Sequence, residues 1–432
     1  METTSLLHDP AFWLLVLFAI PLILRVPIAL ALGFSALVVV WQWDLGFSML
    51  SYNFFAGIAK FPLLAIPFFI LAGYIMERSG IAARIVALME ALVGSMTGGL
   101  AVATVAVATF WGAVSGSGPA TVAALGLILI PGMARAGYDK AFAAATVSVT
   151  SGLAIVIPPS IAFIVYGSVA DVSVPALFAA GFVPGIVVAL FIMAAVLIIS
   201  RKRGYRGQPS GKSVGTALKE AFWGVMTPVV ILGGIYGGVF TPTEGGAFAA
   251  IYAIIVCMGY YRELSFRGLL RVSARAARTT AVVMLIVATA TAVGWFITIA
   301  QIPNQVTDLF RPLIDSPVLL LLAINIFLFL VGMVMDLTPN ILIFAPVFYP
   351  LITQAGIDPY FFGLLFILNL GIGVITPPVG TVLYVVCGVG NIKITKLVQG
   401  MLPFLVTEII MLFLLLFFPS LSLTPLNWLM GG

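Results

Sequence analysis

The segment Ser115 to Thr121, SGSGPAT, sets two glycines, two serines and a proline inside an apolar run that would otherwise form an unbroken membrane helix. Glycine and proline disfavour a helix interior, so the span must be interrupted here. DLTPN, Asp336 to Asn340, interrupts a second run some 219 residues later. In a bilayer the N–H and C=O groups freed by a break must be satisfied by protein, water or a bound ligand. The pair of breaks therefore predicts where the chemistry lies.

Composition leaves the bilayer as the only solvent for such a chain. Of 432 residues, 62% are hydrophobic and 8% charged, and the mean hydropathy is +1.21, outside the range of water-soluble domains. At roughly 20 apolar residues per span, the apolar stretches predict about a dozen crossings or partial crossings. No room is left for a sizeable soluble domain. The N-terminus, METTSLLHDP, carries Glu2 and Asp9 but no Lys or Arg, so it lacks the basic start of a cleaved signal peptide and the first helix is expected to be retained. Cys257 and Cys387 lie in apolar runs and read as small hydrophobes, neither a disulfide nor a metal site.

The net charge of +5 would suggest a nucleic-acid partner in a soluble protein, but here it marks topology. Eleven of the 20 basic residues form two patches, one at Arg201, Lys202, Arg203, Arg206, Lys212 and Lys219, the other at Arg262, Arg267, Arg271, Arg275 and Arg278. Short basic loops mark the cytoplasmic side. Phe222 to Phe240 and Phe248 to Tyr261 then read as one helix out and one back, placing both patches inside.

In chain order, Ala11 to Leu24 and Pro27 to Trp43 predict an opening helical pair, broken at Pro21, Arg25 and Pro27 and ended at the interface by Trp41, Trp43 and Asp44. Phe61 to Met76 carries Pro62 and Pro67 and predicts a bent or re-entrant segment. The second half then repeats the first. GYD at Gly137 to Asp139 matches GID at Gly356 to Asp358, IPPS at Ile157 to Ser160 matches TPPV at Thr376 to Val379, and Gly181 and Pro184 match Gly400 and Pro403, all 219 residues apart. Ser117 to Thr338 is 221, which implies a two-residue indel. These matches predict an internal duplication: scaffold helices over 1–59, repeat one over 60–200, basic loops with connecting scaffold helices over 201–278, repeat two over 279–418, and a tail over 419–432. Repeat one ends in a basic loop and repeat two begins after one, so the copies are expected to be inverted, with the C-terminus outside.

Inverted repeats with discontinuous helices near the midplane are how many secondary transporters build a site. Carbonyl and hydroxyl oxygens suit a small hard cation, and helix N-termini suit an anionic group. Repeat one offers Ser115, Gly116, Ser117, Gly118, Pro119 and Thr121, then Thr150, Ser151, Gly152, Pro158, Pro159 and Ser160; repeat two offers Asp336, Thr338, Pro339 and Asn340, then Asn369, Gly371, Gly373, Thr376, Pro377, Pro378 and Gly380. Small and hydroxylated residues also serve close helix packing. Asp336, a costly charge beside an apolar run, reads either as an ion-linked carboxylate or as a helix N-cap. Glu244 reads as a helix-capping acid, and Asp139 and Asp358 as turn residues.

Enzyme readings find no support. An intramembrane serine protease would need a histidine beside Ser117, and the single histidine is His8. An aspartyl protease would need a second membrane aspartate beside Asp336, and Asp171, followed by SVP, reads as a loop residue. No GxxxxGK[ST] run is present. A stand-alone secondary transporter or a channel is the second reading, because broken helices also build selectivity filters; breaks in both copies fit alternating access better than one pore.

The motifs resemble the large membrane subunit of TRAP transporters, the tripartite ATP-independent periplasmic family of DctM type. The resemblance runs through SGSGPAT, GYDKAFAAA, IPPS with Tyr166 and Gly167, FAAGFVPG at Phe178 to Gly185, ILGGIYGGVFTPTEGGA at Ile231 to Ala247, DLTPNILIFAP at Asp336 to Pro346, GIDP, and LNLGIGVITPPVG at Leu368 to Gly380. Gly245 and Gly246 depart from it, standing where alanines are common. It implies an all-α polytopic membrane protein with two inverted-topology repeats, discontinuous helices and re-entrant hairpins, and an elevator-type transport domain on a scaffold. It further implies sodium-coupled import of an organic anion, chiefly a carboxylate such as a C4-dicarboxylate, sialic acid or a 2-oxo acid, across a bacterial or archaeal cytoplasmic membrane. The implied partners are a periplasmic substrate-binding protein (DctP type) and a small four-helix membrane subunit (DctQ type), a separate chain here; no cofactor besides the coupling Na⁺ is implied. Carried onto this chain, sodium site one draws on Ser115, Gly116, Ser117 and Pro119 with Ser151 and Gly152. Site two draws on Asp336, Thr338, Pro339 and Asn340 with Asn369, Gly371 and Gly373. Substrate lies near Pro158, Pro159 and Ser160 and near Thr376, Pro377, Pro378 and Gly380. The breaks are rich in hydroxyls and carbonyls and poor in titratable groups, which by itself favours sodium over protons; Asp336 is the exception.

Overall fold

A computed structural model of the chain describes residues 10–24 and 26–430. The expectations for Glu2, His8, Asp9 and Arg25 lie outside the described residues. Among those described, every regular element is helical, and eight helices are long and apolar enough to cross a membrane.

Helices α1 (Pro10–Ile23) and α2 (Ile28–Gln42) form the opening pair. Pro21 lies inside α1 rather than breaking it, because a proline one turn from a helix end sacrifices a single N–H bond. A third helix, α3 (Phe47–Ile58), follows. Phe61 to Met76 is continuous: a 3₁₀ turn, Phe61–Leu64, runs directly into α4 (Ala65–Arg78), 18 helical residues long and apolar enough to span a membrane. Pro62 and Pro67 fall in the first turns of these two pieces, where the N–H groups have no intrahelical partner to lose.

Then come α5 (Ile81–Val93), α6 (Gly99–Ser115), α7 (Gly118–Arg135), α8 (Lys140–Leu153), α9 (Ile161–Ala170) and α10 (Val174–Lys202). The connecting pair, α11 (Val214–Tyr236) and α12 (Pro242–Ile254), ends in a π-helical turn, Ile255–Tyr260. Ser173, Ser213 and Ser265 accept first-turn N–H bonds and so set the starts of α10, α11 and of α13 (Phe266–Ile299). Thr241 and Glu244 form a reciprocal capping box at α12, with Thr241 N donating to Glu244 Oε2 at 2.8 Å; Glu244 is a capping residue. Thr241→Ala is expected to cost about 1 kcal/mol, read as a lower Tm in detergent, with Thr241→Ser close to wild type.

The second basic patch is largely helical. Arg267, Arg271, Arg275 and Arg278 occupy the first half of α13, whose 34 residues span roughly 50 Å, well beyond the ~30 Å hydrocarbon layer. Thr279, the expected start of repeat two, lies within this helix. Lys212 pairs with Glu220, Arg84 pairs with Glu263, and the Tyr261 hydroxyl donates to the Glu220 carbonyl at 2.6 Å, so both patches share one face.

The chain closes with α14 (Ile302–Phe310), α15 (Pro317–Gly332), α16 (Leu337–Gln354), α17 (Pro359–Gly373), α18 (Thr381–Gly390), α19 (Ile394–Phe417) and α20 (Ser420–Met430). The stretch expected as a tail is thus a helix, seated on α10 through Ser422 Oγ, which donates to the Ala180 carbonyl at 3.3 Å. Shifting the bounds of α7 by 219 residues gives those of α16, and α8 and α17 start in the same register. Their N-caps, Asp139 and Asp358, both accept first-turn N–H bonds. Pro158–Pro159 and Pro377–Pro378 are both cis. The expected two-residue indel disappears: Ser117 and Asp336, not Ser117 and Thr338, are the matching N-caps. Proline misleads here because it stands at the second position of α7 but the third of α16.

Helices α8 and α17 form the centre, buried on all sides over Phe142 to Leu153 and Phe361 to Gly373, as apolar patterning all around a helix requires. They cross where Gly152 meets Gly371: a Cβ on Gly152 would lie 2.9 Å from the Gly371 carbonyl oxygen. Around them, α2, α3 and α4 pack on α13, and α12 packs on α4.

Candidate functional site

Each break is built by local backbone chemistry. Gly116 adopts φ +56° and terminates α6 in the left-handed conformation. Ser117 is extended, and Gly118 and Pro119 restart the helix as α7. The Ser115 and Thr121 hydroxyls lie 2.9 Å apart, and Thr121 Oγ1 donates to the Ser117 carbonyl at 2.8 Å. A Cβ at Gly116 would meet the Pro159 carbonyl oxygen at 3.0 Å, and one at Gly118 the Ser151 carbonyl oxygen at 2.9 Å. The first break therefore rests on the end of α8 and on the 154–160 segment, bringing Ser115 to Pro119 together with Ser151 and Gly152.

The second break repeats this plan with different side chains. Asp336 stands at the N-cap position of α16 but makes no capping bond; its Oδ1 instead accepts from Thr381 Oγ1 at 3.2 Å. Val379 and Gly380 donate their N–H groups to the Met333 carbonyl at 3.2 and 3.3 Å, so here too the later break folds onto the earlier one. Asn340 Nδ2 donates to the Met335 carbonyl, and Asn369 Nδ2 donates to both Asn325 oxygens at 2.8 Å. The Oδ1 atoms of Asn340 and Asn369 are buried without a hydrogen-bond partner among the described residues. Such an orphan costs about 1–3 kcal/mol and asks for an explanation. Amide oxygens are ligands of the kind hard cations take, so this donor set fits a small cation.

Both breaks face one cavity of about 140 Å³, lined by Ser115 to Ala120 and Asp336 to Thr338, with α4 and α13 closing the opposite side. On that side the Tyr74 and Thr279 hydroxyls lie 3.0 Å apart, and Glu77, paired with Arg275 at 3.4 Å, completes the polar edge. Pro158 to Ser160 and Thr376 to Gly380 do not line this cavity. The Ser160 hydroxyl is turned to the Ile155 carbonyl, and Thr376 Oγ1 donates to the Ile372 carbonyl at 2.6 Å.

Sequence reasoning missed Tyr74, Glu77 and Thr279, because the α4–α13 pairing joins residues some two hundred positions apart. It also missed Glu408, 2% exposed in α19 with Oε2 unpartnered; its sequence signal was a lone acid in an apolar run. Asp171 is a left-handed residue closing α9, as expected of a loop position, and Cys257 is buried while Cys387 is half-buried.

Membrane-length helices interrupted in pairs around a cavity with hydroxyl, carbonyl and carboxylate edges define a multi-pass membrane protein whose site lies inside the helical bundle. The family described as "Tripartite ATP-independent periplasmic transporter, DctM component" matches residues 14–421, and the chain belongs to it. It is a transporter permease, not an enzyme family. The 2,3-diketo-L-gulonate TRAP transporter large permease protein YiaN of Escherichia coli is 41% identical over 410 residues, 93% of this chain and 96% of that protein. The isethionate TRAP transporter permease protein DctMQ of Oleidesulfovibrio alaskensis is 39% identical over 419 residues, 96% of this chain but 66% of that longer protein. In fold, the chain matches the Alcanivorax borkumensis YdaH transporter with a TM-score of 0.59 at 17% identity, over 87% of this chain and 88% of that one.

Proposed function

We propose that this chain is the large membrane subunit of a sodium-coupled tripartite secondary transporter that imports an organic anion, in the first place a carboxylate, across a bacterial or archaeal cytoplasmic membrane. The observation that carries the reading is the convergence of both breaks on one cavity, with two orphaned amide oxygens beside the second. Sodium is held by Ser115 to Pro119 with Ser151 and Gly152 at one site, and by Asp336 to Asn340 with Asn369 to Gly373 at the other. Relatives named for 2,3-diketo-L-gulonate and isethionate support an organic anion as cargo. It occupies the space between the breaks, the cavity lined by Ser115 to Ala120 and Asp336 to Thr338, with Pro158 to Ser160 and Thr376 to Gly380 behind its walls. A periplasmic binding protein delivers it, and a small four-helix membrane subunit, of the kind the name DctMQ joins to a large one, completes the assembly.

The two repeats are read as inverted and as moving against a scaffold of α1 to α3 with the connecting pair α11 and α12. Asn391, closing α18, accepts from Lys140 Nζ at 3.2 Å, one residue from Asp139, which faces Arg203 of the first basic patch. The matching end of α9 instead reaches Lys60, which donates to the Ser168 carbonyl at 2.6 Å beside the α11–α12 turn. Equivalent helix ends on opposite faces support inversion.

The test is uptake into proteoliposomes holding this chain and its small partner, with and without the binding protein, under a sodium or a proton gradient. Transport that needs both sodium and the binding protein is the expected result. Uptake driven by protons alone, or without any binding protein, would overturn it.

A further inference from the structure

A second cavity, of about 310 Å³, opens on the basic face, between the end of α5, the first turn of α6, the end of α7 and the loop that follows α10. It is not a gap beneath a loose segment. Gly98 donates its N–H to the Tyr205 carbonyl and Gln208 donates to the Gly94 carbonyl at 2.9 Å, while the Tyr205 ring lies 4.4 Å from that of Tyr138 and 5.4 Å from that of Phe142.

The groups on its wall are donors in need of an acceptor. Arg135 and Arg206 line it, and neither makes an ion pair or a side-chain hydrogen bond among the described residues, whereas the neighbouring Arg203 faces Asp139. Tyr138 is 4% exposed, its hydroxyl oxygen lies beside the Leu100 and Ala101 backbone, and its O–H finds no acceptor among the described residues. The 17-residue helix α6 begins here on Gly98 with no side-chain cap, so the positive end of its dipole faces the same space, although its Gly99 and Ala101 N–H groups already donate to the Met96 and Gly98 carbonyls. Glu90 is the one acid on the wall. Burial raises its carboxyl above the ordinary carboxylate value.

We infer that this cavity binds a phosphate-bearing ligand, gripped by Arg135, Arg206 and the Tyr138 hydroxyl at the positive end of α6, and that the bound ligand pins the loop after α10 to α5, α6 and α7. A phosphate presents several acceptor oxygens in a tetrahedral array and pairs bidentately with guanidinium groups, which matches donors arriving from separate walls. A phospholipid headgroup and a soluble phosphomonoester offer that same chemistry, and the cavity lies where either can reach it.

Thermal unfolding of the purified full chain tests the site in two arms. The first compares inorganic phosphate and glycerol 3-phosphate with chloride at equal ionic strength in detergent; the second compares phosphate-free detergent micelles with and without added phosphatidylglycerol. At ligand 100-fold above Kd, a Tm rise of roughly 3 °C is expected. The rise should vanish in Arg135→Ala/Arg206→Ala, need about fivefold more ligand in Tyr138→Phe, and persist in Arg267→Ala/Arg271→Ala. A rise confined to the first arm identifies a soluble phosphate compound, and one confined to the second a lipid; both support the site. No rise in either arm, or a rise that survives the Arg135/Arg206 double substitution, overturns it.

Discussion

Gly373→Val is expected to lower stability by about 1–3 kcal/mol, the usual cost of forcing extra atoms into a packed core, and to reduce the yield of monodisperse protein accordingly. A Cβ at Gly373 would lie 2.7 Å from the Gly332 carbonyl carbon and 2.8 Å from its Cα. Both are backbone atoms, so no rotamer change relieves the contact and α15 and α17 must separate. That separation would pull on Asn369, whose amide reaches Asn325 across the same interface. Gly388→Val is the matched control, since a Cβ there meets nothing within 4 Å. Equal Tm values for the two variants would show that the glycine crossing does not hold the second break.

Asp336→Asn is expected to leave Tm near the wild-type value and to raise the sodium concentration for half-maximal uptake at least tenfold, a change of about 1.4 kcal/mol. The asparagine oxygen can still accept the Thr381 hydroxyl, so the local geometry survives while a formal charge leaves the cavity wall. Thr381→Val, which keeps the charge and removes the donor, should shift the sodium curve less. A proton-coupled mechanism makes a different forecast for Asp336→Asn: an unchanged sodium curve and a lost dependence of uptake on external pH.

The two substitutions separate what was legible in the chain from what was not. Asp336 stood out because an acid beside an apolar run is costly in a membrane, and its neighbours Thr338 and Asn340 stood out as polar residues at a helix break. Gly373 could be placed on a break, but not against Gly332, because nothing in either segment names its partner. The same reasoning explains Asn325, an ordinary polar residue in α15 until Asn369 is folded against it. Local rules also misled where position within a helix decides the outcome. Pro62 and Pro67 looked like interruptions, yet each occupies a first turn where a missing N–H costs little, and α1 carries Pro21 two residues from its C-terminal end at the loss of one N–H bond. The basic residues of the second patch looked like a loop, yet an arginine-bearing helix longer than the bilayer keeps them in water just as well.

By itself the sequence determined that the chain lives in a bilayer, that two segments are broken in each half, and that the halves share a register of 219 residues. All three follow from local chemistry: apolar content, glycine and proline in the wrong place for a helix, and motif spacing. Only the tertiary structure decided that the two breaks share one cavity, that Tyr74, Glu77 and Thr279 from α4 and α13 close it, and that the Asn340 and Asn369 oxygens are left without donors. Those facts depend on which helices pack together, and in a chain this uniformly apolar nearly every helix face is an acceptable packing surface until the small residues and the buried polar groups find each other.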